Sequence, residues 1–293
     1  MRADTYNFNV GDFRCVAVRD GTLTYAPPMF PPPPTFLFLN APAEERESVL
    51  RDHGLAAATW TDWTSDYTCL VVDTGEHLVL MDTGAGKLGP NTGWLLDSLK
   101  ASSIAPEDID VVILTHGHPD HLGGVTGERG NVVFRKARHV IRKPEWDFWM
   151  SSQAEQALDE HSRSILVGTA RKNLPPAEKQ IDLIGEDVEI VPGITAFAAP
   201  GHTPGQMTLS VSSGGEKLLY ASDVVLHPVH LQRPSWHAAV DLAPDQVVET
   251  RRKFLAAAQS QNALVMGFHL PFPGLGRVVR HENAWRWQPE PRI

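Results

Sequence analysis

The sequence predicts two β-sheets packed face to face with helices outside them. Two observations point there. Short, β-branched apolar runs bounded by turn residues recur in two blocks, one before and one after a histidine-rich stretch at 115–121, with helical segments interleaved. No repeat of fixed short period and no apolar run of transmembrane length competes with that order.

The elements follow in order. Phe13 to Val18 and Gly21 to Tyr25 read as two short strands around an Asp20-Gly21 turn. Ala26 to Asn40 carries Pro27, Pro28 and Pro31 to Pro34 among Met29, Phe30, Phe36, Leu37 and Phe38. Proline stiffens such a segment into extended form. It is expected either to hug the surface or to act as an arm, about 26–40, that covers the active site or grips a second subunit. Glu44 to His53 reads as a helix ended near Gly54. Tyr67 to Asp73 and His77 to Met81 form a hairpin, and Trp94 to Leu99 an amphipathic helix. Val111 to Leu114 is a buried strand that runs into the histidines.

Beyond them, Ala137 to Arg142 reads as a strand. Pro144 to Met150 starts a helix at proline and carries Trp146, Phe148 and Trp149, and Ala154 to Ala170 continues as helix. Strands are expected at 181–184, 188–191, 194–198, 207–211 and 217–221, with Ser213-Gly214-Gly215-Glu216 as a hairpin turn. Pro244 to Ala258 is a helix and Ala263 to Phe268 a final buried strand.

Composition bounds the function. The chain has 293 residues, 42% hydrophobic and 21% charged, enough for a sizeable core. Its formal net charge of −9, from 26 Lys+Arg against 35 Asp+Glu, disfavours a nucleic-acid partner. Cys15 and Cys69, the only cysteines, sit in apolar runs and imply buried thiols rather than a disulfide framework. Met1 to Val10 lacks an apolar signal region, so the expectation is a cytoplasmic protein without a membrane partner.

Chemistry concentrates at Thr115-His116-Gly117-His118-Pro119-Asp120-His121. In extended chain alternate residues point the same way, so His116 and His118 can converge on one ion. Pro119 keeps His118 out of helical geometry. If the chain then turns into a helix, Asp120 and His121 can face a second ion. Imidazole and carboxylate suit zinc. His202, Asp223 and His269 occupy the same kind of position, at a strand end or in a loop between strands. Asp82, at the end of the 77–81 strand, is either a turn residue or a carboxylate that fixes a ligand histidine.

Together with Asp82-Thr83-Gly84, Gly201-His202-Thr203-Pro204-Gly205, Ser222-Asp223 and Gly267-Phe268-His269, the motif resembles the metallo-β-lactamase-fold hydrolase superfamily. The resemblance implies an α+β fold, an αββα sandwich of two packed mixed sheets flanked by helices, over one domain spanning 1–293. It also implies a ligand set: His116, His118 and His202 on a first metal, Asp120, His121 and His269 on a second, and Asp223 bridging both. Within the superfamily, the segments Asp223 to His227 and His269 to Gly276 are similar to the lactonase and methyl-parathion-hydrolase branch. Where quorum-quenching lactonases place a tyrosine shortly after the bridging aspartate, this sequence has Val224, Val225 and Leu226.

The implied activity is hydrolysis of a lactone, carboxyl ester or phosphotriester by a bridging hydroxide, with two divalent ions, Zn²⁺ first, as cofactors. Two such ions, two carboxylates and one hydroxide leave a charge of about +1 at the site. Asp120 is the expected catalytic proton acceptor. Trp146, Trp149, Leu226, His227 and Phe272 are candidates for an apolar pocket around a small neutral substrate. His227, His230 and His237 are otherwise expected to be exposed or to back the ligands. An iron-dependent persulfide-type dioxygenase and a non-catalytic sensor or interaction protein, with the arm as its interface, are the competing readings; a homodimer through Pro27–Phe38 is a separate expectation.

Overall fold

In the computed structural model of the protein, residues 4–291 are described. The expected domain over 1–293, and the start of the Met1–Val10 segment, reach residues outside that range. Two seven-stranded sheets carry the fold. The first contains β1 (Thr5–Val10), β2 (Phe13–Tyr25), β3 (Trp63–Asp73), β4 (Leu78–Met81), β5 (Val111–Ile113), β6 (Arg138–Arg142) and β7 (Ile181–Ile184). The second contains β8 (Val188–Val191), β9 (Ile194–Ala198), β10 (Met207–Ser213), β11 (Glu216–Tyr220), β12 (Leu264–Met266), β13 (Leu275–His281) and β14 (Ala284–Pro289). Neighbours in each sheet are neighbours in sequence, so the chain up to Ile184 builds one layer and the chain from Val188 the other. Both sheets are mixed. β4 to β7 run parallel, as do β11 and β12, and the other pairs are antiparallel.

One apolar core lies between the layers, with Val71, Leu80 and Ile113 of the first in the same cluster as Leu209, Val211, Tyr220 and Met266 of the second. Tyr67 to Val72 is a continuous buried run, as a central strand covered on both faces requires. Helix Pro244–Ser260 covers the second sheet with Phe254, Leu255 and Ala258, which pack with Val265, Val278 and Trp285. No helix among the described residues is long and apolar enough to cross a membrane.

Four features differ from the sequence reading. The two expected strands around Asp20-Gly21 are one strand, β2, and Asp20-Gly21 is a bulge in it rather than a turn. Gly21 has φ +122, and a Cβ there would lie 2.0 Å from the Asn91 carbonyl oxygen, so only glycine permits the bulge. The bulge turns Asp20 inward, where its carboxylate accepts hydrogen bonds from the N–H groups of Ala85 (2.8 Å), Gly93 (3.2 Å) and Leu95 (3.0 Å). The helix expected from Ala154 to Ala170 is two, Ser152–Ala157 and Glu160–Asn173, because Asp159 caps the second by accepting from the Ser162 N–H at 3.0 Å. Strands β1, β13 and β14 lay outside the expected set.

The fourth feature is the proline-rich arm. It makes a helical turn at Pro33–Phe36 and packs Phe36, Leu37 and Phe38 against Leu226, Val229, Trp236 and Ala238 of its own chain. Backbone bonds fasten it there: the Leu39 N–H donates to the His237 carbonyl and the Ala239 N–H to that of Phe36, both at 2.8 Å.

His139 supplies a test of the first sheet. It lies in β6 between Val112 and Ile181, fully buried, with neither ring nitrogen hydrogen-bonded. Burial pushes its pKa from 6.5 down to about 4. The folded value lies below the unfolded one, so the neutral ring's contribution is complete above pH 6.5 and is lost as pH falls through 4. Wild-type stability should therefore fall, relative to His139→Leu, by about 1.4 kcal/mol per pH unit across that window. Urea denaturation of both proteins at three pH values measures it. Parallel pH profiles would rule the effect out.

Candidate metal centre

Strand β5 aims the first group of side chains. Past its end His116, Gly117 and His118 continue in a loop, and His118, with φ −74 and ψ 152, stays extended ahead of Pro119. Pro119–Leu122 is then a single helical turn that carries Asp120 and His121, which meets the condition under which the two could face a second ion. Gly117 allows close packing behind the loop: a Cβ there would sit 2.1 Å from Trp149 Nε1. The other three residues come from the second sheet's connections. His202 lies between β9 and β10, Asp223 in the turn Ser222–Val224 after β11, and His269 after β12.

All seven side chains converge. His116, His118, His202 and Asp223 each present a donor atom within 4.8 Å of the others, and so do Asp120, His121, Asp223 and His269. Asp223 belongs to both groups. Its Oδ2 is 3.2 Å from His202 Nε2, 3.1 Å from His269 Nε2 and 3.7 Å from His116 Nε2, and its Oδ1 is 3.1 Å from His121 Nε2. Asp120 Oδ2 is 3.4 Å from His269 Nε2. His118 turns Nδ1 inward, 2.8 Å from His202 Nε2. The whole set is buried, with His118, Asp120 and His269 the most exposed at 6%, 7% and 5%. The opening is therefore on their side.

A pair of divalent cations fits these residues. His116 Nε2, His121 Nε2 and Asp223 Oδ1 are buried without hydrogen-bond partners among the described residues, a costly arrangement unless something else satisfies them. They face each other across the two groups, and the all-nitrogen-and-oxygen donor set suits zinc or a similar borderline ion.

The sequence profile of the Metallo-beta-lactamase superfamily matches residues 64–269, a span that includes all seven residues. The chain belongs to the metallo-β-lactamase superfamily. Among curated relatives, an N-acyl homoserine lactonase of Bacillus sp is 26% identical over 165 residues, which cover 50% of this chain and 58% of that protein. Among solved structures, AidC, a dizinc quorum-quenching lactonase in complex with a product, superposes with a TM-score of 0.89 at 28% identity over 99% of both chains. The hydrolase AbOPH, also of the beta lactamase superfamily, superposes at 0.87 and 27% identity, over 100% of this chain and 99% of that one.

Behind the seven converging side chains, a second set of groups fixes their orientation. Asp82, read from sequence as a candidate for this role, accepts from the Thr115 N–H and Oγ1–H at 2.8 and 2.9 Å and from the Tyr220 hydroxyl at 3.1 Å. It also accepts from His121 Nδ1–H at 2.8 Å. The Thr115 proton is thus used on Asp82, so His116 donates its Nδ1–H to Thr115 Oγ1 at 3.2 Å and keeps its Nε2 lone pair for the centre. The same logic holds at His202, whose Nδ1–H meets Asp241 Oδ1 at 2.8 Å. At His269, Ser65 donates to the Asp66 carbonyl and accepts from Nδ1–H at 2.8 Å.

Asp241, Ser65 and Tyr220 were missed in the sequence, as was Glu145. Glu145 is fully buried and accepts from the Gly117 N–H (2.7 Å), Trp149 Nε1–H (2.6 Å), Thr203 Oγ1–H (2.8 Å) and Gly205 N–H (2.8 Å). It ties the His118 loop to the His202 loop.

Charge inside the centre follows from burial and neighbours. Burial and adjacent imidazoles drive His116 and His118 well below the usual histidine value. Burial also opposes charge on His202, but Asp223 and Asp241 raise it to about 9. Burial raises the Asp223 carboxyl, yet His269, His121 and His116 outweigh it and hold the group well below the carboxylate range.

The expected pocket residues fall in different places. Trp149 is fully buried with its ring 5.7 Å from His118, and Phe272 is buried in the inter-sheet core under the Arg19 guanidinium. Both are packing residues, which takes them off an open wall. Trp146 is half-buried against the same core. Leu226 joins the cluster beneath the arm, and His227 is half-buried between Phe38, Trp60 and His53. His230 is neither exposed nor beside a ligand: it is fully buried and donates Nε2–H to the Leu37 carbonyl at 3.0 Å. His237 is half-buried.

Proposed function

We propose that this protein is a binuclear metal-dependent hydrolase of lactones and related carboxyl esters. The observation that carries the reading is the sharing of Asp223 between two complete ligand groups. The likeness to AidC, named as a dizinc lactonase, along 99% of both chains supports it.

When bound, a pair of divalent ions supplies hydroxide near neutral pH and polarises the scissile carbonyl. The chain's own residues do the rest. His116, His118 and His202 would hold one ion and Asp120, His121 and His269 the other, with Asp223 common to both groups. Asp120, at the more open side, accepts the proton released as the tetrahedral species forms. The arm and its neighbours provide an apolar wall. Trp63 lies 6.0 Å from the His269 ring and stacks on Tyr25 at 4.9 Å, and Tyr25 stacks on Phe36 at 5.3 Å. A small neutral acyl chain fits such a wall.

Metal analysis and a substrate panel on one sample test the reading. Lactones of several acyl lengths, an aryl ester, an aryl phosphotriester and a β-lactam make up the panel. The expected result is about two zinc-class ions per chain, with lactone or ester hydrolysis lost to a chelator and restored by zinc. One iron per chain, or full loading without hydrolysis of any lactone or ester, would overturn it.

A further inference from the structure

We infer that the Tyr25 hydroxyl donates a hydrogen bond to the substrate oxygen that sits on the Asp120 and His269 side of the centre. This rests on the hydrolase reading above. Tyr25 ends β2 and Tyr67 lies in β3, and their hydroxyl oxygens are 2.7 Å apart. Two phenols in contact hold two protons and use one between them. Among the described residues, neither hydroxyl has another hydrogen-bond partner, so one proton is left for a ligand.

The position of the pair says where that proton goes. The Tyr67 ring is fully buried, stacked on Phe268 at 5.6 Å and edge-on to His269 at 5.5 Å. Tyr25 is only partly buried, and it stacks on Trp63, which also contacts His269. His269 is among the three most exposed of the seven converging residues. The enclosed Tyr67 therefore donates to Tyr25, and the outer Tyr25 presents its O–H beside the opening.

Both phenols stay protonated. A phenol keeps its proton at neutral pH, and burial of the pair adds to that. Tyr25 therefore acts as a hydrogen-bond donor and not as a proton source. A donor held by an apolar cage needs no reorganisation when negative charge develops on the substrate oxygen, which is the condition for transition-state stabilisation. In the reaction no proton leaves the phenol.

The test is Tyr25→Phe, with Tyr67→Phe beside it, on protein loaded with zinc. For a lactone that the wild type hydrolyses, Tyr25→Phe should lower kcat about 10²-fold with KM within about twofold, as loss of one oxyanion donor does. Affinity for a phosphonate analogue of the tetrahedral species, measured by calorimetry, should fall by a similar factor, while metal content and urea midpoint hold. Tyr67→Phe should show a smaller loss, since it only frees Tyr25 to rotate. Unchanged kcat and unchanged phosphonate affinity in Tyr25→Phe would overturn the inference and leave the hydrolase reading intact. A loss traced wholly to lower metal content or a lower midpoint would also overturn it, because the residue would then be structural. A wild type that hydrolyses no lactone or ester fails at the earlier step and takes this role with it.

Discussion

Asp223→Ala should empty both ion positions together and lower turnover more than about 10³-fold, because the activation of water depends on bound metal. Asp223 is the one carboxylate within reach of His116, His121, His202 and His269 at once. Removing it takes the shared donor from both groups at once and leaves Asp120 as the one carboxylate among the remaining six residues. Asp120→Asn makes the contrast. Asp120 serves only the second group, and asparagine keeps its shape and an oxygen ligand. That variant should retain the first ion and most of the second, yet still lose turnover, since the amide cannot accept a proton. Plasma emission analysis and kcat on the same preparation separate the cases. Asp223→Ala with one full ion would contradict the bridging assignment. Asp120→Asn at wild-type turnover with full metal would remove its proton-accepting role.

The second large effect is expected from a residue that touches no ion. Glu145→Ala strips the partner from the Gly117 and Gly205 N–H groups, from the Thr203 hydroxyl and from the Trp149 indole. Each buried donor left unpaired costs about 1–3 kcal/mol, and the two backbone groups cannot turn away, so about 3–5 kcal/mol of stability should go. At about 2–4 °C per kcal/mol for a chain of this size, thermal melting should drop by on the order of 10 °C. The His118 and His202 loops lose their tie, so affinity for the first ion should fall about 10- to 100-fold, the range for outer partners of metal ligands. Glu145→Gln keeps the shape but turns an amide N–H₂ toward two donors, and it should fall between the two. A Glu145→Ala protein with wild-type melting and metal affinity would show that these bonds are replaceable.

The seven converging side chains were legible because their chemistry leaves traces in one dimension. His116, Gly117, His118, Asp120 and His121 are adjacent in sequence, and His202, Asp223 and His269 each follow an apolar run that reads as a strand. Their supports were not legible. Asp241 lies 39 residues from the His202 it orients, and Ser65 lies 204 residues from His269. A serine in a strand or an acid in a loop carries no spacing that announces such a partner. Asp82 could be read because it sits at a strand end, at the head of Asp82-Thr83-Gly84.

Elsewhere local chemistry misled. Asp20-Gly21 has the composition of a hairpin turn, but tertiary contact with Asn91 makes it a bulge in a continuous strand. Trp149 is near the motif in sequence and large, which suggests a wall. Gly117 shows instead that the indole is enclosed directly behind the loop.

Each sheet is laid down by one contiguous stretch of the chain, and the seven converging side chains divide the same way. His116, His118, Asp120 and His121 follow a strand of the first layer, while His202, Asp223 and His269 follow strands of the second. Neither stretch can assemble a full coordination shell alone. The seven side chains meet only along the seam, so any breathing that parts the layers would release ions held there while each layer is still whole. Retention of metal then reports how tightly the two faces are closed.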